Sequence, residues 1–205
     1  MQIQTLDGGF ATPPVDAAHA FRAIMTAMAQ PGTIVTLAGA VPPAPVSPRL
    51  RVLAVGRLDA MKGFDRLIRA FRRICEQRPG AILRIVGEGY DRSRLEQIVC
   101  ETGLGRSVEF AGHSDDVAGE LRKADLFVLS SLYEGMPNTL VEALDQGRRV
   151  VATSCRGPVR SLMGQLGASA MIISEDAFEV DFVRALDAAL ALDSAGWAEI
   201  HARHR

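Results

Sequence analysis

Between residues 49 and 155 the hydrophobic positions change their spacing at regular intervals. Short apolar runs, rich in β-branched residues, predict five strands, at 51–56, 81–86, 108–111, 125–130 and 149–153. The stretches between them, at 64–75, 93–101, 115–123 and 137–145, carry apolar side chains at helical spacing. Strands that alternate with helices run parallel and are joined by right-handed crossovers. The pattern therefore predicts an α/β fold with a doubly wound, Rossmann-like parallel sheet.

The two ends of the chain carry weaker patterns. Residues 170–173 predict a sixth strand and 178–192 a helix, whereas 193–205 have no packing pattern and are expected to fray. Near the other end, 16–30 predict a helix that ends at Pro31-Gly32, and 33–37 predict a short strand. The prolines of 41–48 predict an extended linker.

These patterns divide the chain into three parts. One helix and one strand cannot bury a core of their own, so residues 1–48 are predicted to be an appendage that docks elsewhere or stays loose. Residues 49–192 are predicted to form the α/β domain, and 193–205 a tail.

Composition excludes several classes of partner. The net charge of −1 argues against nucleic acid. Three scattered cysteines, without a C-x-x-C pair, make a disulfide framework or a zinc site unexpected and favour a cytoplasmic protein. No apolar run approaches the roughly 20 residues of a membrane span. Peripheral membrane contact stays open.

The loop after the first predicted strand contains two cations. In an open parallel sheet, ligands bind beyond the carboxyl ends of the strands. There, Gly56 allows close backbone approach, and Arg57 and Lys62 stand near the start of a helix, where the dipole does not favour cations. An anion held between the cations and the helix end would relieve this. The alternative is a solvated basic turn.

The loop after the fourth predicted strand combines a possible phosphate site with two carboxylates. The backbone N–H groups of Gly135, Met136, Asn138 and Thr139, around a helix predicted from Pro137, suit phosphate binding. The carboxylates of Glu134 and Glu142 would repel a phosphate unless they bind something else, such as sugar hydroxyls. The alternative is that Glu134 favours the helix dipole and Glu142 is a surface charge.

Read together, the loops resemble the C-terminal domain of the family 4 glycosyltransferases, which share the GT-B architecture of two Rossmann-like domains. Five segments carry the resemblance in the same order over about 105 residues: Val55-Gly56-Arg57-Leu58 with Lys62-Gly63-Phe64-Asp65-Arg66-Leu67-Ile68, then Ile85-Val86-Gly87-Glu88-Gly89, then Val108-Glu109-Phe110-Ala111-Gly112, then Ala124 to Ser131, and finally Glu134-Gly135 through Glu142-Ala143-Leu144.

The resemblance implies a role for each loop. It implies that Arg57 and Lys62 hold the diphosphate of a nucleotide sugar, with backbone groups of 135–139. It gives Glu134 a contact with the transferred hexosyl group, so that Glu134, Arg57 and Lys62 are the implied catalytic residues. It places the ribose on Glu142 and the base near Gly112 and His113. It further implies retention of anomeric configuration and no bound metal or other cofactor.

The resemblance does not extend over a whole enzyme. GT-B enzymes carry the acceptor on an N-terminal Rossmann-like domain, and residues 1–48 do not read as one. The expectation is a partial enzyme with an unknown acceptor. An alternative is a non-catalytic nucleotide-binding or partner-binding module, whose open cleft face meets a partner chain or a second copy. A dehydrogenase or P-loop enzyme is disfavoured, because the glycine-rich fingerprints of both are missing.

Residues 1–48 have a resemblance of their own. They are similar to the start of the H subunit of the bacterial carbon–phosphorus lyase system, through Gly8-Gly9-Phe10, Pro14-Val15-Asp16-Ala17, Phe21-Arg22-Ala23-Ile24-Met25 and Pro31-Gly32. This implies a third alternative, an accessory protein of phosphonate metabolism.

Overall fold

The structure is a computed structural model. It describes residues 45–193 except 166, 167, 169 and 170, together with 195, 196 and three short strands nearer the N-terminus. These strands, β1 (Gln2–Gln4), β2 (Phe10–Ala11) and β3 (Ile34–Thr36), form an antiparallel sheet in the order β2-β1-β3. The third confirms the strand predicted at 33–37, while the helix predicted at 16–30 lies outside the described residues.

The main sheet has six described strands, all paired in parallel, in the order β6-β5-β4-β7-β8-β9. They are β4 (Arg51–Val55), β5 (Ile82–Val86), β6 (Val108–Gly112), β7 (Leu126–Leu129), β8 (Arg149–Thr153) and β9 (Ile172–Ile173). The doubly wound, Rossmann-like parallel sheet is thereby confirmed, including its sixth strand.

Six described α-helices connect or follow these strands. They are α1 (Phe64–Gln77), α2 (Arg92–Glu101), α3 (Val117–Lys123), α4 (Asn138–Asp145), α5 (Val159–Gln165) and α6 (Phe178–Ala191). A 3-10 turn, Ala60–Lys62, precedes α1. The α5 helix and the 3-10 turn were not predicted.

Side chains from both the sheet and the helices build the core. Every residue of β7 and β8 is buried, as expected for strands covered on both faces. The predicted apolar face of α1, formed by Leu67, Ile68, Phe71 and Ile74, is completely buried. Each of these side chains contributes about 1.5–3 kcal/mol to stability through its removal from water.

Two predicted helix starts were too early. Asp116 caps α3, because its Oδ1 accepts a hydrogen bond from the Gly119 amide at 2.7 Å, so the helix begins at Val117 rather than 115. Pro137 occupies the N-cap position of α4 and lies just outside the helix.

The strand order creates a switch point between β4 and β7. From β4 the chain proceeds outward to β5 and β6, and from β7 it proceeds the opposite way to β8 and β9. Right-handed crossovers then carry the two connections next to this point to opposite faces of the sheet, which opens a crevice beyond the carboxyl ends of β4 and β7. Within the described part of the chain, no helix is long and apolar enough to cross a membrane.

Candidate functional site

Two loops meet at the switch point, and hydrogen bonds join them directly. The loop after β4 contains the 3-10 turn, and the loop after β7 leads to α4. The Leu132 amide donates to the Met61 carbonyl oxygen at 2.8 Å, and the Ser130 hydroxyl donates to the Lys62 carbonyl oxygen at 2.7 Å. Hydrogen bonds therefore hold the two loops together at the switch point.

An ion pair between Lys62 and Glu134 lies where these loops meet. The Lys62 Nζ is 2.7 Å from Glu134 Oε1, and the Ser131 hydroxyl donates to the same oxygen at 2.6 Å. The Glu134 side chain is only 7% exposed, whereas that of Lys62 is 26% exposed. A carboxylate this buried needs partners. Lys62 supplies one, and its own side chain stays partly exposed.

Gly56 leaves room for the Lys62 side chain. A Cβ atom at Gly56 would lie 3.2 Å from both Lys62 Cδ and Lys62 Cε. The structure thus brings Gly56, Lys62 and Glu134 into one site, although 72 residues separate the lysine from the glutamate.

Arg57 pairs within its own loop. Its Nε is 2.6 Å from Asp59 Oδ2, and its side chain is 73% exposed while Asp59 is buried. Asp59 also caps the 3-10 turn by accepting from the Met61 amide at 3.0 Å. The described hydrogen bonds and ion pairs between the two loops run through Met61 and Lys62 rather than Arg57.

These pairs correct the argument that placed an anion next to the two cations. Carboxylates already neutralise Arg57 and Lys62, so their positions do not by themselves require a bound anion. The spacing argument could not foresee this, because one partner is distant in the sequence. Arg57 nevertheless has a largely exposed side chain, and among the described contacts it uses its Nε alone.

The amino end of α4 is accessible. Gly135, Met136 and Asn138 are exposed, and Thr139 is half-buried. In the first turn of α4, which the structure describes in full, no side chain is acidic. The first N–H groups of a helix carry a partial positive charge, although the Asn138 amide already donates to the Met136 carbonyl oxygen at 2.9 Å. This end of α4 can therefore accept an anion.

Glu142 lies in the second turn of α4 and is half-buried. Burial raises the pKa of its carboxyl group. It forms no ion pair with any residue in the described part of the chain. Glu142 is thus partly shielded from solvent, and its ligand-binding role stays a prediction.

Gly112 and His113 lie at the carboxyl end of β6, on the same edge of the sheet. The Gly112 carbonyl oxygen accepts from the Gly87 amide at 2.7 Å. The exposed His113 ring has its Nε2 3.0 Å from Asp115 Oδ1, which fits a polar loop residue. These two residues sit two strands away from Lys62, beyond β5.

Three residues of the site were not singled out from the sequence: Asp59, Ser131 and Arg66. Asp59 holds Arg57, and Ser131 holds Glu134. Arg66 donates to the carbonyl oxygens of Ser130 and Ser131. An aspartate two residues after an arginine is a local signal for the first pair. The contacts of Arg66 span 64 and 65 residues and leave no trace in local spacing.

A second concavity, of about 510 Å³, lies away from the strand ends. Residues of α1, together with Thr102 and Glu179, line it. Its arginines pair with acidic groups, as in Arg72 with Glu76 at 3.1 Å and Arg73 with Glu179 at 3.7 Å. It contains none of the predicted site residues, and we place the functional site at the switch point because geometry and buried charge converge there.

Comparison with known protein families gives two matches. The family described as "Glycosyl transferases group 1" matches residues 49–191. The bacterial phosphonate metabolism protein PhnH matches residues 8–64. The two matches overlap over 49–64, a stretch that the structure folds as β4, the 3-10 turn and the start of α1. Both resemblances seen in the sequence are thereby confirmed.

Individual relatives agree with the first match. An uncharacterized glycosyltransferase of Methanocaldococcus jannaschii, MJ1059, is 37% identical over 116 residues, which cover 56% of this chain and 29% of the relative. WaaG, a glycosyltransferase involved in lipopolysaccharide biosynthesis, has a similar structure, with a TM-score of 0.64, 26% identity, and coverage of 77% of this chain and 42% of WaaG.

A third comparison concerns the fold alone. S. aureus TarM, determined with fondaparinux, α-GlcNAc-glycerol and UDP, has a TM-score of 0.65 at 18% identity, covering 100% of this chain and 47% of TarM. The chain spans about a third of the length of the curated relatives that it matches, or less.

Proposed function

This chain belongs to the group 1 glycosyltransferases, and from that membership we propose that the crevice between β4 and β7 binds the diphosphate of a nucleotide-activated sugar. One observation carries the proposal: the Lys62 ammonium lies 2.7 Å from a buried Glu134 carboxylate at the switch point of the sheet. That is where open α/β sheets bind their ligands. The ion pair also combines a cation that can bind phosphate with a carboxylate that can accept hydrogen bonds from sugar hydroxyls.

The proposed reaction is the retaining transfer of a hexosyl group. The bond between the anomeric carbon and the diphosphate oxygen breaks, and the diphosphate leaves with the electron pair. An acceptor hydroxyl oxygen bonds to the anomeric carbon on the same face of the sugar, and its proton passes to the departing diphosphate. Arg57, Lys62 and the N–H groups at the start of α4 stabilise the charge that develops on the leaving group. Since these groups provide the positive charge that a metal ion would provide, we propose that the reaction needs no bound metal. EDTA should then leave turnover unchanged.

The two carboxylates have separate proposed tasks. Glu134 accepts a hydrogen bond from a hydroxyl of the transferred sugar, because one oxygen engages Lys62 and Ser131 and the other has capacity left. Glu142 accepts hydrogen bonds from the ribose hydroxyls. The loop of Gly112 and His113 faces the base.

We propose that transfer also needs an acceptor domain in addition to residues 49–192. Four large apolar side chains around the Lys62–Glu134 pair are exposed, namely Met61, Leu132, Tyr133 and Met136 at 47%, 43%, 50% and 37%. Such a patch is typical of a covered surface. The chain alone should bind nucleoside diphosphate and transfer sugar poorly. Sedimentation should detect concentration-dependent association through this face, and a strictly monomeric chain at high concentration would count against it.

Isothermal titration calorimetry with UDP and GDP tests the proposed site. Arg57→Ala should weaken binding by about 10- to 100-fold, because one charge-assisted phosphate contact contributes about 1.5–3 kcal/mol. Arg69→Ala is the matched control, since Arg69 is a half-exposed arginine on α1 that lines the other concavity. The absence of both binding heat and a thermal shift at millimolar UDP or GDP would refute the proposal.

The N-terminal match leaves the phosphonate alternative open for residues 8–64. The geometry of the described residues favours no second site for it, so we propose a single function, that of the sheet domain.

A further inference from the structure

Arg66 connects the two loops of the site. It lies in the first turn of α1, four residues after Lys62. Its Nη2 donates to the Ser130 carbonyl oxygen at 2.7 Å and to the Ser131 carbonyl oxygen at 3.0 Å, and its Nε donates to Ser130 again at 3.2 Å. One guanidinium therefore binds two successive peptide groups of the loop that carries Glu134.

These two carbonyl groups need partners from outside their strand. The ladder of β7 ends at Leu129, and Ser130 and Ser131 are both buried. Buried carbonyl groups without a hydrogen bond are costly. The Thr153 hydroxyl supplies one more donor to Ser131, at 2.6 Å. The planar guanidinium reaches both groups at once, which the single ammonium of lysine cannot do with the same geometry.

The guanidinium is itself held in place. Its Cζ lies 4.5 Å from the centre of the Phe178 ring, and Phe178 is the buried first residue of α6. Burial lowers the pKa of Arg66, while the charges of Glu175 and Asp65 act in the opposite direction. The group remains charged, because arginine does not lose its proton in proteins. A partly buried cation over an aromatic ring is attracted to the face of that ring.

Close backbone approach makes the contact possible. Gly63 has a φ angle of +61°, and a Cβ atom there would overlap the Ser130 carbonyl oxygen that Arg66 binds. The Ser130 hydroxyl returns a hydrogen bond to the Lys62 carbonyl oxygen. The segment from Lys62 to Arg66 and the segment from Ser130 to Glu134 thus form one interlocked unit.

From this geometry we propose that Arg66 is a positioning residue, which clamps the loop after β7 to the loop after β4 and thereby keeps Lys62 and Glu134 converged on the ligand. The clamp reaches Glu134 through Ser131, whose backbone Arg66 binds and whose hydroxyl donates to the Glu134 carboxylate. The inference rests on the proposed function for its ligand, but the clamp itself exists independently of any ligand.

Hydrogen exchange in the chain without ligand tests the clamp. The amides of Leu132 and Glu134 bond to the carbonyl oxygens of Met61 and Arg156, at 2.8 and 3.0 Å, and so report the docking of the loop. In Arg66→Gln, both amides should exchange at least about tenfold faster. The loop can then open locally without breaking the guanidinium hydrogen bonds. Arg66→Lys should restore part of the protection. The control Arg69→Gln, one turn further along α1, should leave both rates unchanged.

The affinity for UDP and GDP provides the second readout. For whichever of the two the wild-type chain binds, Arg66→Gln should weaken binding about five- to tenfold without touching the ligand, as expected when a site loses its preorganisation. Unchanged exchange at Leu132 and Glu134, or exchange that rises equally throughout the sheet, would overturn the clamp. If the wild-type chain binds neither nucleotide, the proposed function fails, and the exchange comparison still decides whether Arg66 holds the loop.

Discussion

Replacing Lys62 by methionine removes the ammonium group from a carboxylate that is almost completely shielded from solvent. Methionine keeps most of the length and apolar character of the lysine stem, so the change isolates the charge. Glu134 would keep only the Ser131 hydroxyl as a partner for its Oε1 atom. The ion pair is therefore a direct test of whether the two loops form one site.

The size of the effect follows from the burial of the two partners. At 2.7 Å and an effective dielectric constant of about 20, the gross attraction is about 6 kcal/mol. Desolvation of the carboxylate offsets much of it, and breaking a fully buried pair costs about 3–5 kcal/mol. Because Lys62 is 26% exposed, we expect Lys62→Met to cost about 2–3 kcal/mol at pH 7.

A double-mutant cycle isolates the interaction energy between Lys62 and Glu134 from the effects of each substitution on other contacts. Lys62→Met, Glu134→Gln and the double variant should be compared with the wild-type chain by urea denaturation. The double variant should be more stable than Lys62→Met, because the neutral amide no longer needs a cation, and the coupling energy should be about 1–2 kcal/mol. Lys123→Met is the matched control, since Lys123 is 67% exposed and should cost less than about 0.5 kcal/mol.

The affinity for nucleotide should respond differently to substitution of Lys62 and of Glu134. Lys62→Met should weaken UDP or GDP binding by about 10- to 100-fold, through the lost phosphate contact. Glu134→Gln should bind the same nucleotide at least as tightly as the wild-type chain, because it removes a negative charge next to the diphosphate and frees Lys62. A coupling energy near zero, or a large loss of nucleotide affinity in Glu134→Gln, would refute this reasoning.

Three further substitutions probe the account at other points. Gly63→Ala should destabilise the domain by about 2–4 kcal/mol in urea denaturation, because the residue has a φ of +61° and its Cβ would overlap the Ser130 carbonyl. Glu120→Gln should cost about 1 kcal/mol at pH 7, since Arg84 lowers the pKa of Glu120. That stability is present above the unfolded pKa of about 4.3 and is lost as the pH falls through the lower folded value, so the difference between the two proteins should shrink in acid. Glu142→Gln should instead stabilise the domain by a few tenths to about 1 kcal/mol at pH 7, because burial raises the pKa of Glu142, and this gain should disappear in acid; a destabilised variant would contradict it.

The sheet was predictable because its signals are local. Apolar runs bounded by glycine or charged residues placed β4 to β8 within two residues of their observed ends. Helix α5, Val159–Gln165, escaped prediction, although α3 has the same length, also contains a glycine and was predicted. Strands β1 and β2 were not predicted either.

The functional site was predictable only in part. Its loops follow from the rule that ligands bind at the carboxyl ends of parallel strands. The partners within it do not, because the Lys62–Glu134 and Arg66–Ser131 contacts join residues that are 72 and 65 positions apart. No local spacing encodes such a pair, and the strand order that brings β4 next to β7 must be known first. The ligand-binding roles of the site residues and the boundaries of the three segments stay predictions.

Mapping the bound nucleotide by NMR is the most direct test of the central claim, that one diphosphate lies between the loop after β4 and the amino end of α4. Titration of UDP or GDP into the 15N-labelled chain should shift the amides of Gly56, Lys62, Gly135 and Thr139 together, with one common affinity. Shifts centred instead on the concavity lined by Arg72 and Arg73, or no shifts at millimolar nucleotide, would contradict the account.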